Sequence, residues 1–510
     1  MSRSLQVRSR LGARRFTACA LLALAVVPLG AAVRAGFAER DISPTVGMRE
    51  AHAVARHVFL TFVDPCRVRA AVFADGDTTV ALVSLDALMI PREVVLRART
   101  GIGHVTTLAP SAVVIAATHS HSSGPVGLVM PGQFDAAPAD IQRLAYEESS
   151  LADPAYLARV EAEIIEAVRL AESRLQPVTL GFGFGEERQV AFNRRQKMKS
   201  GRTWSHAGAM NPDIVDYAGP VDPQVGVVGA WDHEGRLVGA IVNFACHATT
   251  NPGGVSANWP GAMERTVQGA LRTTAPVLFF AGPSGDVTQV DNRSPYVNPT
   301  QAEWLAQVGG RIGAEAIKVL LSAPRTTDTP LAARQKLWRI ARRVPLPERV
   351  AEARAIVDRG KPSAGALTEW TFARETLLLD HIVGIEPDVE VEAQAIQVGP
   401  AVFLSSPAEL FVAFGLEQKQ RSAFPFTFPV SLANGCVGYV ATEDAFGPEG
   451  GGYETRLTFY SNLDVTAGRQ FAEVGLALAA QLRPAPPPER PRLTRPGTPW
   501  PHGRVDPQVR

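Results

Sequence analysis

Apolar residues along this chain follow two periodicities that alternate from one end to the other. Short apolar runs come in pairs split by a turn: FADGDTTVALVSLD breaks at Asp75-Gly76, and VVGAWDHEGRLVGAIVNFACH breaks at Glu234-Gly235. Each pair predicts two strands joined by a tight hairpin. Other segments repeat apolar residues every three to four positions. Asp153-Pro154 supplies a cap and a first-turn residue, and Leu157, Val160, Ile164, Val168, Ala171 and Leu175 then fall on one helical face. Thr300 and Glu303 form a capping box ahead of Leu305, Val308, Ile312, Ala316 and Val319. These stripes are core faces and carry no chemistry. Strands and helices alternate without a clear linker from Gly36 to Leu482, which predicts an α/β fold: one large domain of mixed β-sheets flanked by helices, with the active site at the strand carboxyl ends.

Both ends depart from this pattern. Residues 1–35 place five arginines before the apolar run FTACALLALAVVPLG and the small-residue stretch AAVRA, the order of a secretory signal peptide cut after Ala35. The run is too short for a membrane span, so the expectation is a secreted or periplasmic protein, by the general or the twin-arginine route. The last 28 residues, 483–510, are dense in Pro and Arg and read as a disordered tail.

Composition removes some functions. With 51 Lys plus Arg against 50 Asp plus Glu, no net field draws the chain to nucleic acid or acidic lipid. Cys19 leaves with the signal, and Cys66, Cys246 and Cys436 are too few and too scattered for a disulfide framework or a zinc knuckle.

Candidate chemistry gathers where five apolar runs end. SAVVIAAT leads to His119 and His121, LVGAIVNFAC to His247, APVLFFAGPSG to Asp286 and Thr288, AVFLSSPA to Glu409, and FPVSLANGCVG to Tyr439. If the five runs lie side by side, their ends build one site. Residues i and i+2 of an extended segment share a face, so His119 and His121 can look into one cleft, and neutral imidazoles with a carboxylate suit zinc. A single histidine after a strand is more often a loop or core residue, and His52, His57, His104, His206, His233, His381 and His502 are left in that class. Glu409 reads equally well as a carboxylate at a helix N-terminus, Tyr439 as a packed aromatic, and Asp286 and Thr288 as turn or cap residues.

The motifs THSHSSGPVG, NFACHATTN, GPSGDVT, SSPAELF and GYVATEDAF...GGYE, in this order, resemble the catalytic domain of the neutral/alkaline (non-lysosomal) ceramidase family, as do GFAERDISP and AFNRR. Family members are zinc amidases that cleave ceramide to fatty acid and sphingosine. The resemblance implies one Zn2+ per chain, held by His119, His247, Glu409 and Tyr439. It makes His121 a substrate-side group and sets Arg194 and Tyr453 beside the scissile amide, with Asp286 and Thr288 completing the catalytic set. Thr288 stands where the family's ceramidases have serine, and its extra methyl restricts the hydroxyl. The chain also ends about where the family's catalytic domain does, before a carboxyl-terminal immunoglobulin-like domain.

The expected reaction is therefore hydrolysis of an N-acyl amide, with zinc-activated water as nucleophile and His121, Arg194 and Tyr453 stabilising the oxyanion. His121 or Thr288 would deliver the proton to the leaving nitrogen. A more soluble amide or ester is the alternative substrate, and a ligand-binding protein without turnover is the alternative from another class. The partner is a small molecule or lipid, with no nucleic acid and no stable membrane span. Residues around MIPREVV and FGLEQ can line a lipid tunnel or simply pack the core.

Overall fold

The computed structural model describes residues 33–49, 58–363, 365, 367–503 and 507–508. Three main sheets carry the fold, and each is antiparallel except at one edge, where a single parallel pair sits. In the first, Thr78–Leu85 runs parallel to Val113–Ala117; in the second, Leu237–Phe244 to Val277–Ala281; in the third, Ala401–Ser405 to Phe426–Val430. Parallel neighbours cannot be joined by a hairpin and need a crossover, usually a helix. The helices Arg92–Val105, Asn258–Leu271 and Val412–Arg421 provide the three crossovers. The chain thus contains three strand–helix–strand units, each of which points two strand ends the same way.

Burial explains why these strands are continuous apolar runs. In Val113–Ala117, Val113, Ile115 and Ala117 face the helices Arg92–Val105 and Pro154–Ser173, while Val114 and Ala116 face inward. Val277, Phe279 and Ala281 likewise pack outward, and Leu278 and Phe280 inward. The period of two puts alternate residues on opposite faces, and here both faces are covered, so polar positions disappear. The inward faces of all three sheets share one core, in which Phe37, Phe73, Phe280, Phe403 and Phe428 meet.

The expected hairpins are present, with strands Arg67–Asp75 and Thr78–Leu85 flanking the first turn and Gln224–Trp231 and Leu237–Phe244 the second. The helix Pro154–Ser173 is capped by the Asp153 side chain, which accepts from the Tyr156 amide, and Gln301–Ser322 opens on the Thr300–Glu303 capping box. One expectation is corrected: the five site-bearing runs do not form one sheet. They converge from three, tied by backbone hydrogen bonds at their carboxyl ends. The Ala117 amide donates to Leu432 O, Asn434 N to Ile115 O, and Ser431 N to Ala281 O.

The signal-peptide reading falls mainly on residues outside those described. The strand Arg34–Asp41 begins just before the expected cut, with Ala35 buried opposite Phe73. Residues 483–503 are mostly exposed and irregular, yet the Arg483 carbonyl accepts from Gln397 and Arg490 donates to Ser322 O. Among the described residues, no helix is long and apolar enough to cross a membrane.

Phe280 is fully buried where the three sheets meet, so Phe280→Ala should cost about 3–5 kcal/mol of stability through lost contact and a cavity. Urea unfolding followed by fluorescence checks this; a loss below about 1 kcal/mol would mean that the three sheets do not share this core.

Candidate metal centre

His119 follows Val113–Ala117 after one further residue and adopts a left-handed backbone, φ 65°. The two histidines therefore converge through a kink rather than through the expected extended i, i+2 spacing. A non-glycine residue in this region is strained, and the surrounding bonds hold it there. The His119 Nδ1 lies 2.7 Å from Leu88 O, which can only accept, so the proton sits on Nδ1 and the Nε2 lone pair faces inward. His247 is fixed in the same way: its Nδ1 approaches Ser284 O at 2.8 Å and Val287 O at 3.1 Å. Such carbonyl partners to the far ring nitrogen are typical of metal-ligating histidines.

Glu409 does not sit at a helix N-terminus. It occupies the short strand Glu409–Leu410, paired in parallel with Tyr439–Val440, and the register sets Glu409 beside Tyr439. Gly285 makes this approach possible, because a Cβ there would lie 2.4 Å from the Glu409 carbonyl oxygen. Glu409 Oε1 accepts from the Tyr460 hydroxyl at 2.6 Å. Its Oε2 lies 3.2 Å from His119 Nε2 and 3.0 Å from His247 Nε2, and no hydrogen bond reaches it.

All three groups are buried. Burial, then the neighbouring Arg194 cation, pushes the His247 pKa down to about 3, so the ring is neutral. Burial alone would raise the Glu409 pKa, but the two histidines more than offset it and hold it well below the ordinary value. The two imidazole Nε2 atoms thus converge on one buried carboxylate oxygen, a set of groups that suits a cation. His121 Nε2 is 3.2 Å from His119 Nε2, and donor atoms of His119, His121 and His247 all lie within 4.8 Å of one another. These residues fit a metal ion, and His121 belongs to the cluster as well as to the wall of the adjoining chamber.

Arg194 is buried between the centre and its surroundings. Its Nε donates to Glu454 at 2.9 Å, its Nη2 to Gly285 O at 2.6 Å, and its Nη1 to His247 Nε2 at 3.2 Å. An ion on that nitrogen and this guanidinium donor compete for one lone pair. Tyr439 and Tyr453 approach hydroxyl to hydroxyl at 3.3 Å, and both rings pack near the Arg194 guanidinium. Burial, then Glu409 beside it, pushes the Tyr439 phenol pKa up.

Asp286 and Thr288 stand differently. Asp286 Oδ2 accepts from Asn193 and Oδ1 from the Val412 amide, so the carboxylate caps the first turn of Val412–Arg421 and, through Asn193, anchors the segment bearing Arg194. Thr288 donates to Gln289 Oε1 and meets the Thr249 hydroxyl at 3.3 Å. Sequence reasoning passed over Glu454 and Tyr460 and left His206 among the loop or core histidines. Glu454 was within sight, being the last letter of the GGYE motif; Tyr460 and His206 carried no local signal.

A chamber of about 400 Å³ opens beside the centre, lined by His121, Glu409, Tyr439, Tyr453 and Tyr460 together with Leu88, Leu128 and Phe372. The MIPREVV and FGLEQ residues do not line it; Val94, Val95 and Phe414 from those stretches pack in the core.

Fold and centre together define a class: a mixed α/β protein with a buried histidine–carboxylate cluster, able to hold a metal ion, where parallel strand pairs end. Its relatives are ceramidases. Over 138 residues the chain is 35% identical to the neutral ceramidase of Pseudomonas aeruginosa, a match that spans 27% of this chain but only 18% of that protein's length. The solved structure of neutral ceramidase from Pseudomonas aeruginosa superposes with a TM-score of 0.63 at 19% identity, covering 90% of this chain and 76% of that one. A ceramidase structure complexed with C2 superposes equally well, at 18% identity. No family model matches the chain. The resemblance drawn from the five motifs is borne out, and the chain has the neutral ceramidase fold.

Tyr460→Phe removes the donor that orients Glu409 and should weaken metal affinity about 10- to 100-fold, measured by competition with a chelator of known affinity. His206 stacks against Tyr453; though part of the residue reaches solvent, desolvation of the ring on that side, then Arg194, lowers its pKa to about 4 from 6.5. Its contribution to stability is therefore complete above pH 6.5 and is lost as pH falls toward 4. His206→Gln should make stability less sensitive to pH over that interval, read from denaturant midpoints at a series of pH values.

Proposed function

We propose that the chain is a zinc-dependent amidohydrolase that cleaves the N-acyl bond of ceramide or a related N-acyl lipid to a fatty acid and an amine. One observation carries this reading: His119 Nε2 and His247 Nε2 converge on Glu409 Oε2 in the interior, each ring fixed from its far side by a backbone carbonyl. Two imidazoles and a carboxylate suit zinc, and the pairing of Tyr439 with Glu409 supports its reading as a fourth ligand. When bound there, zinc supplies a Lewis acid and an acidified water of pKa about 7.

The protein's own groups handle the substrate. Arg194, kept charged among Glu454, Glu409 and two tyrosines, is a fixed donor toward the developing oxyanion. Burial, outweighing the nearby Arg194 cation, pushes the Tyr453 phenol pKa up, so it remains a hydrogen-bond donor. His121 stands between the cluster and the chamber and is the group best placed to pass a proton to the leaving nitrogen. Asp286 and Thr288 act by positioning, through the bonds to Asn193, Val412 and Gln289. The basic, then apolar, then small-residue order of residues 1–35 supports export to the periplasm or medium.

Elemental analysis should find zinc near one per chain, and a chelator should abolish cleavage of a fluorescent short-chain ceramide. His119→Ala and His247→Ala should lose metal and turnover together, and full activity in either would overturn the mechanism. Zinc without cleavage of any amide or ester would leave a ligand-binding protein on this fold.

A further inference from the structure

The helix Leu367–Ile385 stands between two hollows: the chamber beside the centre, and an outer groove of about 630 Å³ lined by Val344, Leu346, Ile356 and Leu457. Thr368, Thr371 and Glu375 of the helix border the chamber, and Glu369, Ala373 and Thr376 border the groove. Residues three and four apart share a helical face, so these are two neighbouring faces, and Phe372 falls on the ridge between them. Among the described residues, Phe372 alone borders both hollows. The facing loop divides in the same way: Tyr453, Thr458 and Tyr460 border the chamber, Arg456 and Leu457 the groove. Helix and loop meet where the half-buried Phe372 ring has the Arg456 guanidinium 3.8 Å from its centroid. Glu369, one turn before Phe372, holds that guanidinium with both carboxylate oxygens, at 3.0 and 3.4 Å.

We propose that Phe372 is the end-stop of the chamber and sets the length of the alkyl arm that this chain accepts. The inference rests on the amidohydrolase reading above and narrows its substrate. The accessible lining of the chamber, which includes Leu88, Leu128, Phe372 and the tyrosines, is mostly apolar, so it takes a hydrocarbon arm. Its volume of about 400 Å³ limits how much of such an arm it can hold. Each methylene that finds room there raises kcat/KM about fourfold, the worth of burying one CH2. An arm that has reached the Phe372 ring gains nothing more, because Arg456, a groove residue, backs the ring, and swinging it aside forfeits the cation–π contact. Beyond the ring the groove again offers apolar surface, with Val344 and Leu346 exposed. The partition is one side chain thick.

The test uses the zinc-loaded full chain and two series of N-acyl amides, one lengthened by single methylenes in the acyl arm and the other in the amine arm. In one series kcat/KM should climb about fourfold per methylene and then break to a plateau or a fall. Phe372→Ala joins the chamber to the groove and should move that break to longer arms, so that a compound two methylenes past the wild-type break gains about 10-fold over the wild type. Phe372→Leu should move it the same way by less, and it serves as the test if the alanine variant does not fold; zinc content should stay unchanged. A climb without a break in both wild-type series, or a break at the same length in wild type and variants, would overturn the proposal. If no amide is cleaved, the amidohydrolase reading fails on its own. The end-stop is then judged by calorimetric binding of the same series: a break in affinity that Phe372→Leu moves to longer arms supports it, and a fixed or missing break refutes it.

Discussion

Three electron-pair donors held together in the protein interior set the terms for the rest of this structure. Glu409 Oε2 lies 3.2 Å from His119 Nε2 and 3.0 Å from His247 Nε2, all buried, with the far nitrogen of each ring bonded to a backbone carbonyl. Left to themselves such groups repel, and a flexible scaffold would let them separate or take up protons. Their persistence requires that each be held from behind. Leu88 O, Ser284 O and the Tyr460 hydroxyl do this, and each is presented by a loop that follows a strand or lies against one.

That requirement accounts for the architecture. A parallel strand pair aims two chain ends in one direction, and three such pairs at the edges of three sheets aim six ends at one region. The shared phenylalanine core fixes the sheets against each other, and the backbone bonds from Ala117, Ser431 and Asn434 stitch the ends together. Close approach then depends on single residues. Gly285 lets one loop touch the Glu409 strand, and the left-handed backbone of His119 turns its ring toward His247.

The centre is asymmetric in a chemically useful way. On one side lie Arg194, Glu454 and the tyrosines 439 and 453, a buried group of opposite charges and phenols. On the other lies the chamber, lined by Leu88, Leu128 and Phe372 as well as by His121 and the tyrosines. Similarity to ceramidases extends to the fold and to a stretch of sequence.

Much of this was legible in the chain. The periodicities of Pro154–Ser173 and Gln301–Ser322, with their caps, and the two hairpins are local events, decided by residues a few positions apart. His119, His247, Glu409 and Tyr439 could be singled out because each follows an apolar run, and strand ends are where loops display side chains. What local sequence cannot carry is distance across the fold. The split of the five runs among three sheets, the ring orientations imposed by Leu88 and Ser284 and the support of Tyr460 for Glu409 all join residues tens to hundreds of positions apart. Such pairings arise from burial of whole sheets against one another, and no window of the sequence contains them.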